Sequence, residues 1–323
     1  MSVIDVFNGD ADGICALTQL RNAEPSDSLL VTGVKRDIAL LERVEARAGD
    51  FVTVLDISLD KNRDGLEKLL AVGANVFYAD HHFAGEIPTS PRLESHIDPS
   101  PDICTSLLID RHLEGKFALW AVTGAFGDNL DASARARAEP LGIEADELDQ
   151  LRDLGTYINY NGYGASLDDL HFPPADLFDK VRRFSNPLDF IAADTDTFGR
   201  LSSGYRDDMA AAAALRPIRE SNHIAVFILP DERWARRVSG VYSNQLANAS
   251  PARGHAVLTE RADGSYLVSV RAPLDNKTGA DELCRRFPTG GGRKAAAGIN
   301  ALPSDQLDDF IDQFTAFYNS SAR

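Results

Sequence analysis

Residues 2–21, SVIDVFNGDADGICALTQLR, read as a strand, an acidic glycine-containing turn and a helix. Val3, Ile4, Val6 and Phe7 suit a buried strand, and the stretch from Gly13 to Arg21 has amphipathic helical spacing. The alternation continues through SLLVTGV, a helix around Ile38 to Ala46, FVTVLDIS, a helix around Arg63 to Ala71, and ANVFYAD. Strand and helix in strict succession predict a parallel sheet with helices on both faces, whose chemistry lies at the carboxyl ends of the strands. From Cys104 to about Leu215 the pattern is mostly helical, interrupted by NYNGYGASLDDLHFPP and ending in the alanine-rich DDMAAAAALR. A second unit follows, with HIAVFIL, a helix through Trp234 to Leu246, a hairpin turning at Asp263 and Gly264, a helix near Ala280 and a closing helix from Ser304. The expected class is α/β: an N-terminal parallel-sheet domain over 1–190, a helical linker over 191–218, and a smaller α/β domain over 219–323.

The chain has 323 residues, which suits two domains each with its own core. Its net charge of −16 opposes the counterion release on which coating a long nucleic acid depends. Cys15, Cys104 and Cys284 are odd in number and show neither disulfide nor zinc spacing, so they read as buried thiols. No apolar run is long enough to span a bilayer, and the N-terminus is acidic without a basic leader. These features predict a cytoplasmic protein with no membrane partner.

Three strands end in carboxylates. Asp10 and Asp12 follow the first, Asp56 ends VTVLD, and Asp80, His81 and His82 end FYADHH. Separately, DADG reads as a solvated turn or a helix N-cap, Asp56 as a strand terminator and DHH as a surface loop. Together on one sheet edge, that many carboxylates repel one another unless a divalent cation lies among them. Oxygen donors with one or two imidazoles suit manganese or magnesium better than zinc.

At these residues the sequence resembles the DHH phosphoesterase superfamily. NGDADG, VLDIS and DHH match its first three motifs, and AVTGAFGDN is similar to a fourth that ends in Asp128. Without the family pattern, Asp128 reads only as a polar helix cap. The resemblance implies two manganese ions, with magnesium as the alternative. Asp56 bridges them, Asp10 holds one ion, and Asp12, His81 and Asp128 hold the other. His82 then faces the scissile phosphate as donor or acid, and Asp80 orients the histidines. Many members have a histidine where this chain has Val6, and others an aspartate where it has Asn8. Asn8 becomes a neutral oxygen ligand, and weaker manganese binding at the first ion follows.

Gly290, Gly291 and Gly292 in PTGGGRKAAAGIN read alone as a flexible turn, or as a cradle whose amides meet an anion. GGGRKAAAG resembles the glycine signature of the DHH-associated C-terminal domain, with Arg293 where the family usually has histidine. Arg271 matches an arginine beside the same groove, or reads as a solvated strand residue. The resemblance places these five residues at the substrate, across a cleft from the metals. It implies a phosphodiesterase that cleaves very short oligonucleotides, or linear dinucleotides such as pGpG, to mononucleotides by two-metal water attack. The alternatives are a nucleoside bisphosphate phosphatase on the same centre, a RecJ-like single-strand exonuclease and a non-catalytic nucleotide binder. A short RNA or dinucleotide is the expected partner rather than a long strand, and a homodimer is left open. Tyr157, Tyr160, Tyr163 and His171 read as a packed loop or a base-stacking lip, and Lys35 and Arg36 as a solvated pair or a phosphate contact.

Overall fold

The computed structural model describes residues 1–320 of the chain. Strands β1 (Val3–Phe7), β2 (Leu29–Val31), β3 (Phe51–Leu55), β4 (Asn75–Asp80) and β5 (Leu93–Ile97) form one parallel sheet in the order β2-β1-β3-β4-β5. Helix α1 (Ala11–Ala23) joins β1 to β2, and α2 (Leu59–Ala71) joins β3 to β4. Alternation along the strands separates two cores. Ile4, Val6, Val52, Val54, Val76 and Tyr78 pack with Leu66 and Leu69 on one face. Phe7, Leu55, Phe77 and Ala79 pack with Ile14, Leu17, Trp120 and Phe178 on the other. A strand with both faces covered must be apolar at nearly every position, which is why these three are the easiest to see in the sequence. One exception is Asp5, whose carboxylate is held at 2.8 and 2.5 Å by the Arg21 guanidinium, which also donates to Thr53 Oγ1, and is capped by the Ser28 hydroxyl.

Phe7, Leu55 and Ala79 are in register across β1, β3 and β4. The three carboxylate-bearing segments therefore leave the sheet at one level. Because β2 lies on one side of β1 and β3 on the other, successive connections diverge there and open a crevice.

The helix expected over Ile38 to Ala46 is only a 3-10 turn, Leu40–Arg43. Asn62 accounts for this: its Oδ1 accepts from the Leu41 amide at 3.1 Å and its Nδ2 donates to the Ile38 carbonyl at 2.6 Å. These bonds take backbone groups that a helix would pair internally. Strand β5, LESHI, was not expected at all. It is an edge strand with Glu94 and Ser95 exposed, and it lacks the apolar run of its neighbours.

Helices α3 (Thr105–His112), α4 (Ala118–Gly127), α5 (Asp131–Ala138), α6 (Ala145–Asn161) and α7 (Pro174–Val181) follow. Tyr157 and Tyr160 belong to α6 and are buried, 5% and 1% exposed, against Tyr205. Of the two readings of these rings, packing holds and the base-stacking lip does not: both fill the core, from a helix rather than a loop. Helices α8 (Pro187–Ala193) and α9 (Thr195–Ala213) occupy most of the stretch read as a linker. The division between the two compact units, Met1–Tyr205 and Arg206–Arg323, falls inside α9.

The second unit contains β6 (Arg219–Glu220), β7 (Ile224–Leu229), α10 (Arg233–Ala249), β8 (Gly254–Glu260), β9 (Tyr266–Arg271), α11 (Ala280–Cys284), β10 (Gly290–Arg293), β11 (Ala296–Leu302) and α12 (Leu307–Ser320). Its sheet runs β10-β11-β9-β8-β7-β6 and is antiparallel except between β7 and β8. The glycine triplet is an edge strand here, paired with Ala297, Gly298 and Ile299 of β11. A Cβ on Gly290 would lie 1.7 Å from the Cys284 carbonyl oxygen, and Gly292 (φ 139°) approaches the Ala297 backbone. Around Gly291 there is open space. Gly290→Ala is expected to lower stability in a urea melt by about 1–3 kcal/mol, as overpacking does. Gly291→Ala should stay within about 0.5 kcal/mol of wild type. Equal losses would mean that the triplet is not fixed by packing.

Candidate metal centre

The acidic cluster is assembled by helix ends as much as by strand ends. Asp10 is the N-cap of α1, its Oδ1 accepting from the amides of Asp12 (3.0 Å) and Gly13 (3.2 Å). The local reading of DADG as a cap thus holds, and the residue still reaches the crevice. Asp12 lies in the first turn of α1 with both oxygens on the start of α3: Oδ2 accepts from the Thr105 amide and Oδ1 from the Ser106 amide, each at 2.7 Å. Neither amide leaves a signal in the sequence.

Asp56 directly follows β3 with φ 57°, in the left-handed region that aspartate and asparagine tolerate better than most side chains. That turn brings its carboxylate close to the two histidines that follow β4. His81 Nε2 is 3.4 Å from Asp56 Oδ1, 3.7 Å from Asp128 Oδ2 and 3.9 Å from Asp12 Oδ2. Its Nδ1 is 3.0 Å from the Ile103 carbonyl oxygen. His82 instead places Nδ1 2.7 Å from Asp80 Oδ1. Asp80 therefore orients His82 alone, and the Ile103 carbonyl orients His81, which corrects the expectation that Asp80 serves both. Asp128 is the C-cap of α4.

The electrostatics follow from crowding. Burial, with Asp10, Asp12, Asp80 and Asp128 around it, drives the Asp56 carboxyl well above the usual range. Burial and the charges of Asp12 and Asp10 push Asp128 up to about 7. Asp10 behaves oppositely. Burial would raise it, but the Lys35 ammonium 2.5 Å from Oδ2 outweighs this and lowers it. Lys35 is likewise held charged: burial works against it and Asp10 more than compensates. The bond to Asp80 raises His82.

The donor chemistry fits a divalent cation at Asp12, Asp56, His81 and Asp128. A carbonyl can only accept, so the Ile103 oxygen places a His81 proton on Nδ1, and in the neutral ring Nε2 is then the nitrogen able to ligate. The three carboxylates repel one another, and a cation among them turns those contacts attractive. Asn8 Oδ1 adds a buried oxygen with no hydrogen-bond partner.

Asn8, Asp10, Lys35, Asp56, His82 and Asp128 line a cavity of about 550 Å³ with Phe83, which is 71% exposed, at its edge. Lys35 is thus part of the site, whereas Arg36 is exposed. His96 and His112, given no role from the sequence, form a separate surface group with Glu94.

The remaining expected site residues form their own group in the second unit. Cross-strand pairing runs Arg293–Ala296–Arg271–His255, so Arg293 and Arg271 share one face of the sheet. Arg271 Nε donates to Asn244 Oδ1 at 2.7 Å, and Arg293 is exposed.

No protein-family model and no curated protein matches the chain. Solved structures do. One is a DHH domain described as belonging to a family of ribosomal proteins, with a TM-score of 0.65 at 12% identity, over 98% of this chain and 86% of that one. The fold is that of DHH-domain proteins. Two further structures with this DHH fold carry activities in their descriptions. The exonuclease RecJ bound to manganese matches with a TM-score of 0.63 at 20% identity, over 98% of this chain and 90% of its own. A pGpG-specific phosphodiesterase from Vibrio cholerae matches at 0.59 and 15% identity, over 99% of both chains. Among the described residues no helix is long and apolar enough to cross a membrane.

Proposed function

We propose that this protein is a divalent-cation-dependent phosphodiesterase that hydrolyses very short oligonucleotides, including linear dinucleotides such as pGpG, to mononucleotides. The observation that carries the reading is the convergence of Asp12, Asp56 and Asp128 on His81 Nε2, beside a cavity that His82, separately oriented, also lines. Its DHH fold, shared from end to end with a pGpG-specific phosphodiesterase and with the manganese-bound exonuclease RecJ, supports the same reading. Manganese is the proposed ion on that ground, and magnesium is compatible with the same oxygen donors.

When bound, the cation supplies Lewis-acid polarisation of a phosphate oxygen and of a water. The chain's own groups do the rest. His81 and the three carboxylates hold the ion. His82, fixed through Nδ1 by buried Asp80, lines the cavity and would deliver a proton from Nε2 to the departing 3′ oxygen. Lys35 keeps a fixed positive charge at the cavity wall for phosphate oxygens, and exposed Phe83 offers a ring on which a base stacks. A cavity of this volume suits a nucleotide end rather than a long track. Arg271 and Arg293, sharing a sheet face, are proposed as phosphate contacts with the adjoining glycine strand.

Purified protein with manganese should be assayed on pGpG, RNA of two to seven residues, single-stranded DNA, a cyclic dinucleotide and a nucleoside bisphosphate. The expected result is mononucleotide release from pGpG and the shortest RNA, at least about ten-fold faster than from long DNA, given the acidic surface. Phosphate released from the bisphosphate alone would replace this reading with a monophosphatase.

A further inference from the structure

The resemblance implies two ions, and the structure gathers three carboxylates around His81 Nε2 for one of them, at Asp12, Asp56 and Asp128. The second position would be served by Asp10, by bridging Asp56 and by a side chain at position 6 or 8. Val6 is fully buried in the hydrophobic core and offers nothing. Asn8 supplies one neutral oxygen. Asp10 Oδ1 accepts from the α1 amides, as the Asp12 oxygens accept from α3 amides, and neutral donors leave a carboxylate able to ligate; what sets Asp10 apart is Oδ2, held by the Lys35 ammonium. Lys35 is not a loose surface lysine. Its Nζ also donates to Asn159 Oδ1 at 2.7 Å, and the Tyr163 ring lies 5.7 Å away. Its backbone amide donates to the Gly162 carbonyl at 2.8 Å, and its own carbonyl accepts from Asn8 Nδ2 at 3.4 Å. An ammonium locked onto the principal carboxylate of a metal position repels a divalent ion there and leaves too few oxygens to replace its water.

We propose that the Lys35 ammonium stands in for one of the two ions, so that the centre holds a single divalent cation at Asp12, Asp56, His81 and Asp128. This rests on the reading of that cluster as a cation site. Lys35 then supplies the second positive charge beside the substrate phosphate, built into the chain rather than recruited from solution, and Asn8 Oδ1 is left to accept a hydrogen bond from substrate or water.

The test is manganese binding by chelator-treated full-length protein, counted by elemental analysis after dialysis and examined by electron paramagnetic resonance. One ion per chain is expected at saturation, with the hyperfine pattern of isolated manganese. Two ions with an exchange-coupled spectrum would overturn the proposal while leaving the cation site intact. No bound ion would remove the cation-site reading and the proposal with it. Lys35→Met, which removes a positive charge next to the site, should tighten manganese binding by about ten-fold or more. Unchanged or weaker binding in a folded variant would mean that Lys35 does not act on the ion, and would also overturn the proposal.

Discussion

Asp56→Asn is expected to lower pGpG turnover by more than about 100-fold, while the metal-free variant melts at the wild-type temperature or above it. Removing an outer partner of a metal ligand costs about 10–100-fold, so losing a central ligand should cost more. Stability should respond differently. Asparagine tolerates the left-handed backbone at this position, so the turn out of β3 survives. The exchange also removes a buried acid whose ionisation is opposed by burial and by the carboxylates around it. Turnover with manganese, together with thermal melts in chelator, checks both halves. Wild-type turnover would mean that the chemistry lies elsewhere, and a large drop in the metal-free melting temperature would make Asp56 a structural residue.

His82→Gln should reduce kcat by about 10²–10⁴-fold, the range for a positioned proton donor, without weakening manganese binding. The structure separates the two histidines by what holds each Nδ1. His81 is held by a carbonyl, which leaves Nε2 for the ion, and His82 by the Asp80 carboxylate, which keeps it available as an acid. Asp80→Asn acts through His82 and should cost less, about 10–100-fold. Loss of manganese binding in His82→Gln would reassign His82 as a ligand.

The sequence reveals the sheet where burial is two-sided. β1, β3 and β4 are apolar at almost every position because both faces are covered, and their register then delivers Asp10, Asp56 and Asp80 to one edge. It fails where burial is one-sided or tertiary bonds intervene. LESHI carries polar residues because it is an edge, and the Asn62 side chain unmakes the helix expected over Ile38 to Ala46. Within the site, the paired aspartates and the histidines are legible as strand-end chemistry. Asp128 is not, because a helix C-cap looks the same whether or not it holds an ion, and only the family resemblance singles it out.

Lys35 is the largest gap between sequence and structure. Its place after the second strand leaves a phosphate contact and a solvated lysine equally open, and nothing in the sequence pairs it with Asp10, 25 residues away. Yet a divalent ion about 4 Å from an ammonium is opposed by about 8 kcal/mol at an effective dielectric constant of about 20. On the proposal above, this one side chain changes the number of ions that an otherwise intact motif set would hold. The glycine triplet shows the converse. Its sequence suggests a turn or a cradle, but two of its three glycines are required by the close approach of β10 to α11 and β11.

The most direct test of the central claim is hydrolysis of pGpG by chelator-treated protein before and after manganese is restored. Two molecules of GMP per pGpG are expected only after the addition. GMP released in the presence of chelator, or none after manganese is restored, would contradict a cation-dependent phosphodiesterase centre at Asp12, Asp56, His81 and Asp128.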